Sequence, residues 1–146
     1  MKGVSNKGWM LLAISSSVNG TLSPVQLQKS LFIFGQEKKK EVGSSFYKFD
    51  PYHYGPFSQA IYTDAAALDV DGYIQIVQIP SRSWPEYTIT KAGLDKASEL
   101  REVVPKKDYK YLSEVVNWAK SLSFADLLRA IYEQYPAFKK NSVFQG

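Results

Sequence analysis

The side chains able to do chemistry are few and scattered. His53 is the only histidine, set between Tyr52 and Tyr54, and the chain has no cysteine. The missing cysteines exclude a disulfide framework, Cys-ligated zinc, iron–sulfur clusters and a thiol nucleophile. The single histidine excludes any site that needs two. With no Cys or paired acid in support, His53 reads as a hydrogen-bonded or solvent-facing residue rather than a catalyst. Asp69-Val70-Asp71-Gly72 opens like a calcium loop, but position 74 is Ile and no acid follows until Glu86. Phosphate loop, nucleophile elbow and dinucleotide fingerprint are all missing. No catalytic residue, metal or cofactor is expected, and an enzyme built around the His53 loop is the weakest reading.

What remains is contact chemistry. Tyr52-His53-Tyr54-Gly55-Pro56-Phe57 is the most distinctive run. Structurally, Gly55 and Pro56 would set the entry angle of a helix while the tyrosines pack on the helix before it. Functionally, the run would be a partner-contact surface, because rings give large contact area at low entropy cost. Gln59, Tyr62 and Asp64 lie just beyond it and complete the expected partner-binding set. A second candidate surface is basic: Lys38-Lys39-Lys40, with Arg82 further on. The lysine run suits a helix C-terminus through the dipole, which is explanation enough; an acidic partner or a nucleic-acid backbone is the sharper alternative.

Six helices and one hairpin are predicted to position these residues. The first helix spans residues 6–18, capped by Asn6 and ended by Asn19-Gly20. The second has the clearest start. Ser23 is the N-cap, Pro24 the first helical residue, and Gln26 closes a capping box between Leu22 and Leu27. Leu27, Leu31 and Phe34 bury one face, and the helix runs to about Lys40. Gly55-Pro56 starts the third helix, with Phe57, Ile61, Ala65 and Leu68 inward and Gly72 as its stop. Tyr73–Ile79 and Glu86–Ile89 read as two strands. Thr90 caps a helix carrying Leu94, Ala97 and Leu100. A fifth helix covers about 108–121, and Ser123 caps a sixth in which Phe124, Leu127, Leu128 and Ile131 pack inward. The tail to Gly146 is expected to be loose.

This order predicts a mainly α chain with a small β-hairpin, an α+β winged-helix-like domain with added C-terminal helices. One domain is expected over 1–146, its core at about 6–104 and a helical extension at about 105–140. The extension would pack back on the core or form a homodimer contact. DNA binding is the obvious inference from such a fold, but the third helix (56–71) has no Lys or Arg and carries Asp64, Asp69 and Asp71. Carboxylates there would repel a phosphate backbone. They would rather face a basic partner or the chain's own lysines.

The sequence resembles the Panacea, or SocA-like antitoxin, domain and its YwgA-like bacterial relatives. The resemblance rests on Leu27-Gln28-Lys29-Ser30-Leu31-Phe32-Ile33-Phe34, on the Tyr54-Gly55-Pro56-Phe57 turn with Ile61-Tyr62 and Gly72-Tyr73-Ile74, and on Ile131-Tyr132 through Tyr135-Pro136 to Ser142. Together these cover residues 22–74 and 122–142. The resemblance implies a non-enzymatic protein that binds a protein partner such as a toxin. Its aromatic connector departs from the family's pattern, and the chain is expected to stand without a fused second domain.

Composition agrees with a folded binding module. The 146 residues are 45% hydrophobic and 22% charged, with three Trp, ten Tyr and eight Phe. No run approaches the ~20 apolar residues of a membrane span. The short apolar stretch from Trp9 to Ile14 reads as the first helix of a cytoplasmic protein, not a signal peptide. The net charge of +4 is uneven: the basic excess avoids the middle of the chain, where residues 57–72 carry −3. A protein partner is therefore favoured. Duplex DNA, bound through Lys38, Lys39, Lys40 and Arg82, is the alternative.

Overall fold

The computed structural model describes residues 4–144. Its centre is α1 (Asn6–Ser16), in which every residue from Gly8 to Ile14 is buried. A helix apolar on all sides must be surrounded by other elements. Its cap is Ser5, not Asn6: the Ser5 hydroxyl accepts from the Gly8 N–H at 3.1 Å, while Asn6 donates to the Ser45 carbonyl. The helix stops at Ser16, short of the expected 18. Asn19 and Gly20 both take positive φ and turn the chain into β1 (Thr21–Leu22), a strand too short for periodicity to register.

α2 (Pro24–Glu37) begins as predicted, with both bonds of the Ser23–Gln26 capping box formed. It ends earlier than expected. Lys38 leaves helical geometry, and a separate turn, α3 (Lys39–Val42), follows, so the lysine run straddles a break. The connector then forms an unforeseen hairpin, β2 (Asp50–Tyr52) with β3 (Gly55–Phe57), paired Asp50↔Phe57, Pro51↔Pro56 and Tyr52↔Gly55. Gly55-Pro56 is therefore a strand, and the next helix, α4 (Gln59–Val70), begins after Ser58. Proline suits the first turn of a helix and the edge of a sheet equally, so residue type alone does not separate the two.

β4 (Ile74–Gln78) and β5 (Pro85–Ile89) form the predicted hairpin. Leu22 and Thr21 of β1 pair with Tyr87 and Thr88 of β5, giving an antiparallel sheet in the order β1-β5-β4. Thr90 caps α5 (Lys91–Arg101) as expected. Leu94 nevertheless points outward, because Gly93 faces the sheet: a Cβ there would lie 2.0 Å from the Tyr73 carbonyl oxygen. Only a glycine lets the helix approach so closely, and that rotation exposes Leu94.

α6 (Lys106–Ser121) and α7 (Phe124–Gln134) complete a mainly α, α+β architecture with seven α-helices among the described residues. α6 places Leu112 and Val116 in the same buried cluster as α1, Leu27, Leu31 and Phe34. α7 builds a second cluster, with Leu127, Leu128, Ile131 and Tyr132 around Phe32 on another side of α2. Phe124, expected inward, is exposed at the first turn of α7. The tail is tied down rather than loose. The Val143 N–H donates to the His53 carbonyl at 2.9 Å, and the Tyr132 hydroxyl meets Ser142 at 2.7 Å. Gly146 lies outside the described residues.

Candidate functional site

The β2–β3 hairpin is fastened to α2 by two consecutive side chains. Gln28 reads the backbone of Ser58 at both ends, donating from Nε2 to its carbonyl at 2.8 Å and accepting its N–H on Oε1 at 3.0 Å. Ser58 is thereby held extended, which delays the start of α4. Lys29, only 5% exposed, donates from Nζ to the Pro56 carbonyl at 2.9 Å. No carboxylate pairs with it among the described residues, and burial lowers its pKa to about 8. Gly55 makes this approach possible. Its φ is +91°, and a Cβ would sit 2.8 Å from Leu128 Cδ1. From the far side, Ser142 and Val143 hold the His53 carbonyl.

So anchored, the hairpin presents a row of rings. Tyr52 stacks on His53 with centroids 4.4 Å apart and planes 6° from parallel. Phe57 follows at 5.4 Å from Tyr52, and Tyr62 of α4 at 5.7 Å from Phe57. Tyr52 is 52% exposed and Tyr62 39%. Gln59 is exposed beside them. Tyr54 turns the other way, edge-on to Phe124 at 5.6 Å, and partly covers that phenylalanine. Of the expected partner-binding residues, the structure brings Tyr52, His53 and Tyr62 into one strip, with Gln59 at its side. Asp64 is half-buried and engaged, accepting a 2.5 Å bond from the buried Tyr47 hydroxyl. Burial first, and this bond second, push the Tyr47 phenol far above its ordinary range.

The basic candidates do not form one surface. Lys38 reaches inward to Asp108 at 3.0 Å and lies 5.4 Å from the Tyr111 ring centre. Asp108 is fully buried in the first turn of α6, where a carboxylate also suits the helix dipole. The adjacent Asp108 carboxylate is the main cause of the raised Lys38 pKa. Lys39 and Lys40 are exposed on α3. Arg82 pairs with Glu86 at 3.5 Å and covers Trp84.

Two features are not legible in the sequence. One is the Gln28–Lys29 clamp, whose only signal was two polar residues inside an apolar helix. The other is a groove of about 650 Å³ between the start of α2, the β4–β5 tip and α7, flanked by Trp84 and Phe124. Its Lys120 is occupied by the Val18 and Thr21 carbonyls. Among the described residues no group of three or more His, Cys, Asp or Glu is placed to hold a metal, and no helix is long and apolar enough to cross a membrane. No family model matches the chain, and no curated protein matches it.

Proposed function

We propose that this chain is a cytoplasmic, non-enzymatic, winged-helix-like module that binds a protein partner, in an antitoxin-type or regulatory role. The order α1, β1, α2, α4 and the β4–β5 hairpin, with α3 and the β2–β3 hairpin inserted between α2 and α4 and with β1 pairing to the returning strand β5, supports the winged-helix reading. The observation that carries the function is the strip His53–Tyr52–Phe57–Tyr62, exposed except at the half-buried Phe57. Aromatic rings on a rigid support are the side chains that dominate protein interfaces, because they bury much area with few rotatable bonds. This support is rigid because Gln28 and Lys29 bond its backbone. The DNA alternative is weakened by the engagement of Lys38 with Asp108 and of Arg82 with Glu86.

A photo-crosslinking residue in place of Gln59, followed by purification from native lysate, tests the proposal. A discrete protein cross-linked by the parent chain should be lost from the Tyr52→Ala/Tyr62→Ala variant and kept by Arg82→Ala. Equal capture by the folded double variant would overturn the reading.

A further inference from the structure

The strip lies in an unusual electrostatic setting. From Phe49 to Ser81 the chain has four aspartates, Asp50, Asp64, Asp69 and Asp71, and no Lys or Arg. That stretch carries −4 in a chain of net +4, so the remainder carries +8. The acids also lie along the strip. Hairpin register puts Asp50 opposite Phe57 and two residues from Tyr52, hence on the same face of the ribbon as both. On α4, Tyr62, Ala66 and Asp69 follow at helical spacing along the exposed side. None of the ion pairs among the described residues involves any of the four aspartates.

Asp69 and Asp71 stand at the C-terminus of α4, where the dipole is already negative. Unpaired carboxylates there oppose folding, so local stability does not account for them. A row of π-faces flanked by carboxylates attracts cations twice over, through the ring quadrupoles and through charge. Guanidinium suits it better than ammonium, since it stacks on rings while forking to a carboxylate.

We infer that the strip from Asp50 to Asp69 docks an arginine-bearing, cationic segment of the partner protein. This rests on the protein-binding reading above. Arginine side chains lie across Tyr52, Phe57 and Tyr62, and their guanidinium groups reach Asp50 and the acidic end of α4.

The test uses the full chain and short peptides of equal length that alternate serine with arginine, lysine, glutamine or glutamate. Calorimetric titration and amide shift mapping should find the arginine peptide tightest, lysine weaker and the other two inert, with shifts confined to residues 50–71. Asp50→Asn/Asp69→Asn should weaken arginine-peptide binding about tenfold, as should Tyr62→Ala. Asp69→Asn/Asp71→Asn should also raise the melting temperature of the free protein while lowering affinity, a combination that a structural role for these acids does not give. Equal binding of the glutamate or glutamine peptide, or shifts mapping elsewhere, would overturn the inference. Sequencing the segment cross-linked through position 59 separates the two levels. An acidic or neutral segment removes the arginine assignment and leaves the protein-binding reading standing, whereas no cross-linked protein removes both.

Discussion

The Lys29 ammonium donates to the Pro56 carbonyl at 2.9 Å, across 27 residues of sequence and with no anion among the described residues to balance its charge. A charged lysine was moved out of water to hold one backbone oxygen. That arrangement costs folding energy, and it is kept where it fastens the hairpin that carries Tyr52 and His53.

The cost appears as a pH dependence. The Lys29 pKa falls from 10.5 to about 8 on folding, so between these values the unfolded chain holds a proton that the folded chain has released. Stability must therefore rise with pH through this window, by about 3 kcal/mol at most for such a shift. Lys120, lowered by burial, adds to the rise. The opposite sign applies to the tyrosines. Burial pushes Tyr87 up to about 12 and also raises Tyr47 and Tyr135, so stability falls once pH passes their unfolded value of 10. Urea denaturation from pH 7 to 11 should show a maximum between 8 and 10. Lys29→Met should flatten the rising limb and leave the falling one.

Gly55 and Gly72 give a controlled comparison. Both have strongly positive φ, at +91° and +84°. A Cβ at Gly72 meets nothing within 4 Å, whereas one at Gly55 meets Leu128 at 2.8 Å and the Lys29 side chain at 3.5 Å. Gly72→Ala should cost about 1 kcal/mol for the backbone alone. Gly55→Ala should cost about 2 kcal/mol more, through overpacking. Denaturant midpoints measure both, and equal losses would contradict the close packing of the hairpin on α7.

Within the lysine run, the three residues should behave differently. Lys38→Met strands the buried Asp108 carboxylate and should lower the melting temperature, as should Asp108→Asn, which leaves Lys38 without its anion. Combining the two should cost less than their sum. Lys39→Ala and Lys40→Ala, on exposed side chains, should leave the melting temperature unchanged. Thermal melts of the five variants decide this, and a destabilised Lys39→Ala would place that side chain in the packing instead.

How much was legible in the sequence depended on the range of the interaction. Ser23, Pro24 and Gln26 announced α2 because capping joins residues three apart. Thr90 and Ser123 announced α5 and α7 in the same way. The hairpin at 50–57 was missed because Pro51 and Pro56 carry no strand periodicity and the register depends on Gln28 and Lys29. Spacing alone predicts Leu94 and Phe124 inward. Leu94 turns outward because Gly93 meets the Tyr73 carbonyl, and Phe124 stands at the exposed first turn of α7. Of the candidate site, the aromatic run and the acidic helix were both visible, but their continuity was not.

The sequence by itself determined the six longer helices, the β4–β5 hairpin, the absence of thiol chemistry and the separation of acidic from basic segments. These follow from local periodicity, capping and residue type. Only the tertiary structure decided which polar groups are consumed and which stay available. Lys38 and Arg82 belong to the same basic inventory as Lys39, yet folding pairs them with Asp108 and Glu86. Tyr47 and Tyr52 are the same residue type five positions apart, yet one is buried against Asp64 and the other faces solvent. The physical reason is that burial and pairing are set by elements distant in sequence. A buried charge or hydroxyl must find its partner wherever the packing supplies one.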